Sequence, residues 1–144
     1  MCVAAHPDDE SLGFGGTLAR AAADGVEVSL VVVTRGERGR HGDGSEPHPG
    51  QEALGRIREA EVRAACDVLG VRHIRILDYL DGDLDRVGPA EASARIALMV
   101  RELRPQVVVT FDPLWRVRSS RPRRHQPAHA LRGDPRCFRR AARG

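Results

Sequence analysis

Ala5-His6-Pro7-Asp8-Asp9-Glu10 puts an imidazole and a carboxylate three residues apart on a tight turn, where His6 and Asp9 can converge on one point. Imidazole nitrogen and carboxylate oxygen are both good zinc ligands. Asp8 would lie beside such a metal without binding it, where a general base is useful. The same residues also suit a solvated strand-to-helix turn in which Asp9 caps the helix. Short motifs of this kind have many false positives, so spacing alone leaves both readings open.

Three further clusters carry polar chemistry. In Thr34-Arg35-Gly36-Glu37-Arg38-Gly39, glycines let the backbone approach a ligand, and Arg35 and Glu37 can grip a polar substrate. Taken alone, the cluster reads first as a surface loop. Arg58 and Glu61 stand about one helical turn apart, the spacing of an ordinary solvent-exposed ion pair. Asp78-Tyr79-Leu80-Asp81-Gly82 has the composition of a polar loop. His41, His48 and His73 have no spacing that implicates them and are assigned to surface or core.

The elements around these clusters alternate. Residues 3–5 are a short apolar run, and 12–23 read as a helix stopped by Gly25. Residues 26–33 are rich in β-branched side chains and predict a strand. Five glycines and two prolines make 34–50 a loop. Leu54, Ile57, Ala60, Ala64 and Val68 recur at three- and four-residue steps and predict a helix over 53–69. A third strand follows at 73–77, a helix from Pro89 to about residue 103, and a fourth strand at 107–111. This βαβαβαβ order predicts an α/β fold, a Rossmann-like parallel sheet with helices on both faces. Ligands of such sheets bind beyond the carboxyl ends of the strands. His6, Asp8, Asp9, Asp81 and Asp112 all follow strands, so they are expected at one end of the sheet.

Taken together, these motifs resemble the PIG-L/LmbE de-N-acetylase family. Ala-His-Pro-Asp-Asp-Glu looks like its opening signature, and Thr-Arg-Gly-Glu-Arg-Gly its second motif. Arg58 to Val71 resembles its second helix, Leu77-Asp78-Tyr79-Leu80-Asp81-Gly82 the loop after strand three, and Val109-Thr110-Phe111-Asp112-Pro113 the lead-in to its last motif. Five segments in the right order make the likeness specific. The resemblance implies zinc held by His6 and Asp9, Asp8 as general base, and Arg58 and Asp81 holding the sugar; Arg35, from the chemistry of its own cluster, is expected with Arg58 and Asp81 on the substrate rim. It implies hydrolysis of an N-acetyl group from an amino sugar or glycoconjugate.

The pattern departs after Pro113. The family's third ligand is the second histidine of a His-Pro-Asp-His motif, whose first histidine helps stabilise the transition state. Here the chain reads Leu114-Trp115-Arg116-Val117-Arg118-Ser119-Ser120-Arg121-Pro122. His125 and His129 are four apart, but Pro122 and Pro127 argue against a helix that would pair them. Reading one nucleotide later accounts for the departure. Codons TA-TGG-CGG-GTA-CGG-TCA-TCC-CGA-CCA-C, all permitted for these residues, then spell Tyr-Gly-Gly-Tyr-Gly-His-Pro-Asp-His. Residues 1–113 are therefore assigned to the front part of a de-N-acetylase-like domain, incomplete at its C-terminal end. Residues 114–144 are assigned to an out-of-frame Arg/Pro-rich tail, expected to be disordered. With His6 and Asp9 as its only good ligands, the chain is expected to hold zinc weakly.

Bulk properties bound the reading. The 144 residues suffice for one domain. No apolar run approaches a membrane span and no leader pattern is present, so a cytoplasmic, membrane-independent protein is expected. Cys2, Cys66 and Cys137 are odd in number and lack CxxC spacing, which suits neither a disulfide frame nor a thiolate zinc site. The net charge is +3, yet residues 113–144 hold ten arginines and only Asp134 as an acid. The alternative function is thus a Rossmann-like domain with a basic nucleic-acid-binding tail. Such a tail has few aromatics (Trp115 and Phe138) and gives no reason for the motifs upstream. Gly13-Phe14-Gly15-Gly16 does not match the dinucleotide spacing GxGxxG.

Overall fold

The computed structural model of the chain describes residues 1–43, 45 and 47–111. Asp112 and residues 114–144, with His125 and His129, lie outside the described residues. The described residues fall into two compact units, one of Met1–Asp83 with Pro105–Thr110, the other containing Leu84–Arg104.

In the first unit, β1 (Cys2–Ala4), β2 (Val28–Thr34), β3 (Val71–Tyr79) and β4 (Val109–Thr110) form one sheet in the order β3-β2-β1-β4. All three pairings are parallel, as the alternating pattern predicts. The run Val28-Ser29-Leu30-Val31-Val32 is apolar almost throughout because β2 is an inner strand, and Leu30, Val31 and Val32 are all fully buried. The chain steps outward from β1 to β2 to β3, then returns to β4 on the opposite side of β1. The strand order therefore reverses at β1, and the crevice of the sheet opens at that strand's carboxyl end, where His6 stands.

Three helices pack together in this unit: α1 (Asp9–Leu12), α2 (Gly15–Ala23) and α3 (Gln51–Leu69). Leu18 of α2 and Val62 and Cys66 of α3 meet Cys2, Ala4, Leu30 and Val32 of the sheet in the core. Each buried Leu or Val side chain of this set contributes about 1.5–3 kcal/mol by leaving water. The helix α3 lies where the sequence predicts it, but its buried face does not: of Leu54, Ile57, Ala60, Ala64 and Val68 only Leu54 is buried, and the face turned to the core is Leu54, Val62 and Cys66. Gly70 closes the helix in the left-handed conformation, φ 74°.

The helix predicted over 12–23 begins instead at Gly15, and a separate four-residue helix, α1, ends at Leu12. Phe14 N–H donates to the Asp9 carbonyl five residues back at 3.2 Å, and a new helix begins at Gly15. Gly15 fits close to that break, since a Cβ there would stand 3.4 Å from the Glu10 carbonyl oxygen. Apolar periodicity could not detect this, because Leu12 falls outside the core at 85% exposure.

β3 runs two residues beyond the predicted strand at each end. Its register with β2 passes from Val32 opposite Ile76 to Thr34 opposite Tyr79, so β3 carries one extra residue there. Such an irregularity turns the strand end and re-aims the loop that follows. In the second unit, α4 (Pro89–Leu103) opens on Pro89 as predicted and ends at Arg104.

Candidate functional site

The turn after β1 is built by its own carboxylates. Asp8 has φ 101° and ψ −27°, a left-handed backbone that a residue with a Cβ adopts only under constraint. Asp9 does not cap the helix as the simplest reading of the motif expects. Its Oδ2 reaches back to accept the N–H groups of Ala5 at 3.1 Å and His6 at 2.9 Å. Glu10 is 2% exposed; its Oε2 accepts the Asp8 N–H at 3.0 Å, and its Oε1 accepts the Ser11 hydroxyl at 2.7 Å. Asp9 and Glu10 thus hold the backbone, leaving Asp8 as the acid of the trio whose side chain is half exposed.

His6 sits between two carboxylates. Its Nδ1 is 3.7 Å from Asp9 Oδ2, and its Nε2 is 3.3 Å from Asp81 Oδ1 in the loop after β3. The carboxylates of Asp81 and then of Asp9 beside it push the imidazole up to about 10, against an opposing effect of burial. The same contact with His6 holds the Asp81 carboxyl below its ordinary value. Asp8 is raised, chiefly by burial and then by the charge of Asp9, while Arg58 and His6 act against the rise. Arg58 Nη1 lies 3.8 Å from Asp8 Oδ2 and 3.6 Å from Glu61 Oε2, and Nη2 donates to the Arg40 carbonyl at 3.1 Å. The expected helical pair of Arg58 and Glu61 is therefore present, but the guanidinium also faces the turn after β1.

Five of the six sequence-predicted site residues are linked by these contacts: His6 with Asp9 and Asp81, and Arg58 with Asp8. Arg35 instead lines a cavity of about 350 Å³ with Glu37, Gln51, Asp78 and Tyr79, and a Cβ at Gly55 would stand 3.5 Å from its own. Glu37, taken in the sequence as a substrate-gripping residue, is 8% exposed, and its Oε1 accepts the Asp81 N–H at 2.8 Å. Its burial had no signal beyond the glycines around it. Asp112 lies outside the described residues.

Two donors of one tetrahedral zinc, each about 2.0–2.2 Å from the metal, stand roughly 3.3–3.6 Å apart. The 3.7 Å between His6 Nδ1 and Asp9 Oδ2 is close to that spacing, so this pair fits two positions of a zinc site. Among the described residues no group of three His, Cys, Asp or Glu side chains could hold a metal ion, so the third position is not filled from them. Cys2 and Cys66 take no part. Both are free and buried, and burial pushes their thiols up to about 12 and about 11.

Residues 1–131 match the family described as PIG-L, GlcNAc-PI de-N-acetylase. The chain belongs to the PIG-L family. A curated relative, 1D-myo-inositol 2-acetamido-2-deoxy-alpha-D-glucopyranoside deacetylase from Kineococcus radiotolerans, is 40% identical over 138 aligned residues, covering 78% of this chain and 38% of the relative. Among solved structures, the N,N'-diacetylchitobiose deacetylase of Pyrococcus horikoshii superposes with a TM-score of 0.70 at 30% identity, over 84% of this chain and 43% of that one. GalB, the 4-carboxy-2-hydroxymuconate hydratase of Pseudomonas putida KT2440, superposes with a TM-score of 0.64 at 26% identity, over 74% and 44%. The PIG-L relatives thus include deacetylases of acetamido sugars, and the chain spans less than half the length of each of these three proteins. No helix among the described residues is long and apolar enough to cross a membrane.

Proposed function

We propose that this PIG-L chain carries the front half of a zinc-dependent site that hydrolyses the N-acetyl group of an amino sugar or glycoconjugate. The observation that carries the reading is the meeting of His6, Asp9 and Asp81, with Asp8 against Arg58, where the strand order reverses. Zinc would be held by His6, Asp9 and a third ligand, and when bound it would acidify a water to a pKa of about 7 and polarise the acetamide carbonyl.

The chain's own residues supply the rest. The Asp8 carboxylate, raised by burial, accepts a proton from the attacking water and returns it to the leaving nitrogen. Water adds to the acetamide carbon, the C–N bond breaks, and acetate and a free amine leave. Arg58, 3.8 Å from Asp8, steadies that carboxylate and offers donors to sugar hydroxyls. Asp81 offers an acceptor beside His6.

The third ligand is proposed to be encoded just after Pro113 in the shifted frame. The family match runs to residue 131, yet no His-Pro-Asp-His is spelled there. Two measurements test the reading. The nucleotide sequence across the Pro113 and Leu114 codons must permit the shifted string. Zinc titration must show a site that weakens on His6→Ala and on Asp9→Ala; zinc binding indifferent to both substitutions would rule the site out.

A further inference from the structure

Glu37 is a buried carboxylate that the proposed mechanism does not use. β2 ends at Thr34, fully buried, whose hydroxyl donates to the Ala5 carbonyl at 3.1 Å and accepts the Gly36 N–H at 3.3 Å. Gly36 then turns with φ 63°, and a Cβ there would stand 3.1 Å from Pro7 Cδ. The turn closes with Gly39 N–H on the Gly36 carbonyl at 2.9 Å. This geometry carries Glu37 inward, and Gly55 of α3 makes room: a Cβ at Gly55 would stand 3.4 Å from that of Glu37.

Inside, the carboxylate makes one contact across the fold. Oε1 accepts the Asp81 N–H at 2.8 Å, while Oε2 is buried with no hydrogen-bond partner among the described residues. The next residue repeats the link: Arg38 Nη1 reaches Asp83 Oδ2 at 2.7 Å. Adjacent residues of the loop after β2 therefore grip both ends of 81–83, the segment that puts Asp81 Oδ1 3.3 Å from His6 Nε2. Burying a carboxylate with one oxygen unpaired is unfavourable, and an apolar side chain of similar size would avoid the penalty. What the carboxylate gives in return is a fixed acceptor for the backbone of Asp81. Groups that orient a site residue act in this way, through the placement of that residue.

We propose that Glu37 is a positioning residue, whose Oε1 sets the Asp81 backbone and thereby the Asp81–His6 contact. Its role runs through the placement of Asp81. Only the kinetic arm of the test rests on the deacetylase reading.

The test uses the whole chain, labelled for NMR, with Glu37→Gln, Glu37→Leu and Glu37→Asp. Gln keeps an acceptor in place, so Asp81 amide exchange should stay within about threefold of the parent and the His6 Nε2 signal should not move. Leu removes the acceptor and the buried charge together. Asp81 exchange should then speed at least tenfold and the His6 Nε2 signal should shift, with the denaturation midpoint unchanged or higher. Asp keeps the charge but withdraws the acceptor by one methylene, and should match Leu in both signals even if Leu fails to fold. Unchanged Asp81 exchange and His6 signal in the Asp variant would overturn the proposal, as would a Gln variant that behaves like Asp. Where amine release from N-acetylglucosamine is measurable, Glu37→Asp should raise KM about tenfold with a smaller change in kcat. Absence of turnover in the parent would count against the deacetylase reading and leave the NMR result to decide the role of Glu37.

Discussion

His6 Nε2 lies 3.3 Å from Asp81 Oδ1, a contact between the loop after β1 and the loop after β3. Neither residue could reach the other unless both strands were parallel with their carboxyl ends together, so the contact expresses the topology in two side chains. It also ties the imidazole to a carboxylate that resembles a sugar-holding position, joining the metal and substrate sides of the proposed site.

In metal-free protein that contact makes stability depend on pH. The folded imidazole titrates at about 10 against an ordinary 6.5, so the folded state keeps its proton longer than the unfolded chain. The stabilisation is complete below pH 6.5 and is lost as pH rises from there through about 10. Denaturant unfolding in chelator should show the parent losing stability across this window relative to His6→Gln. Equal pH dependence in the two proteins would mean the imidazole is not held by Asp81 and Asp9.

Zinc must displace that proton, because a metal-bound imidazole is neutral. Titration calorimetry at pH 7 in buffers of different ionisation enthalpy should therefore report release of about one proton per zinc, absent in His6→Ala. Affinity should be weak in the 144-residue chain, since a catalytic zinc has about three protein ligands. Zinc that stays stoichiometric through dialysis would place a third donor among residues beyond Phe111.

The left-handed backbone of Asp8 gives a stability prediction opposed to activity. Asp8→Ala and Asp8→Gly both remove the carboxylate, but only glycine relieves the φ of 101°. Glycine should be the more stable of the two by about 1 kcal/mol in chemical denaturation, and both should lose deacetylase activity. Equal stability of the two would show that the turn relaxes without strain.

Gly36→Ala tests the seam between the first two motifs. The substitution adds a Cβ 3.1 Å from Pro7 Cδ at a φ of 63°. It should destabilise the chain by about 1–2 kcal/mol, and also speed exchange of the Asp81 amide as Glu37 is displaced. Gly42→Ala, with a φ of 53° and nothing within 4 Å of its Cβ, is the control for backbone strain without the clash.

The sequence made the strand-and-helix alternation legible because β2 is apolar almost throughout and α3 repeats apolar residues at helical steps, although Ile57, Ala60, Ala64 and Val68 of that repeat are exposed and the buried face is Leu54, Val62 and Cys66. It made His6, Asp8, Asp9 and Asp81 legible as residues that follow strands, and topology then brought them together. Periodicity reports which face is apolar; it does not report where a carboxylate reaches. Asp9 looked able to cap a helix and instead accepts from Ala5 and His6. Glu37 looked like a surface group and is buried, because Gly36 turns the chain inward and Gly55 leaves space for it. The break between α1 and α2 was hidden for a related reason: Leu12 continues the apolar spacing but remains exposed.

Amine release from an N-acetylglucosaminyl substrate decides whether this site hydrolyses acetamides. The 144-residue chain and a version read in the shifted frame after Pro113 are assayed side by side with zinc. Equal amounts of amine and acetate are expected from the restored version. Chelator should abolish that release, Asp8→Ala should lower it by at least about 10²-fold, and the 144-residue chain should be far slower. No release from the restored version, or release undiminished by Asp8→Ala, would contradict the proposed hydrolysis.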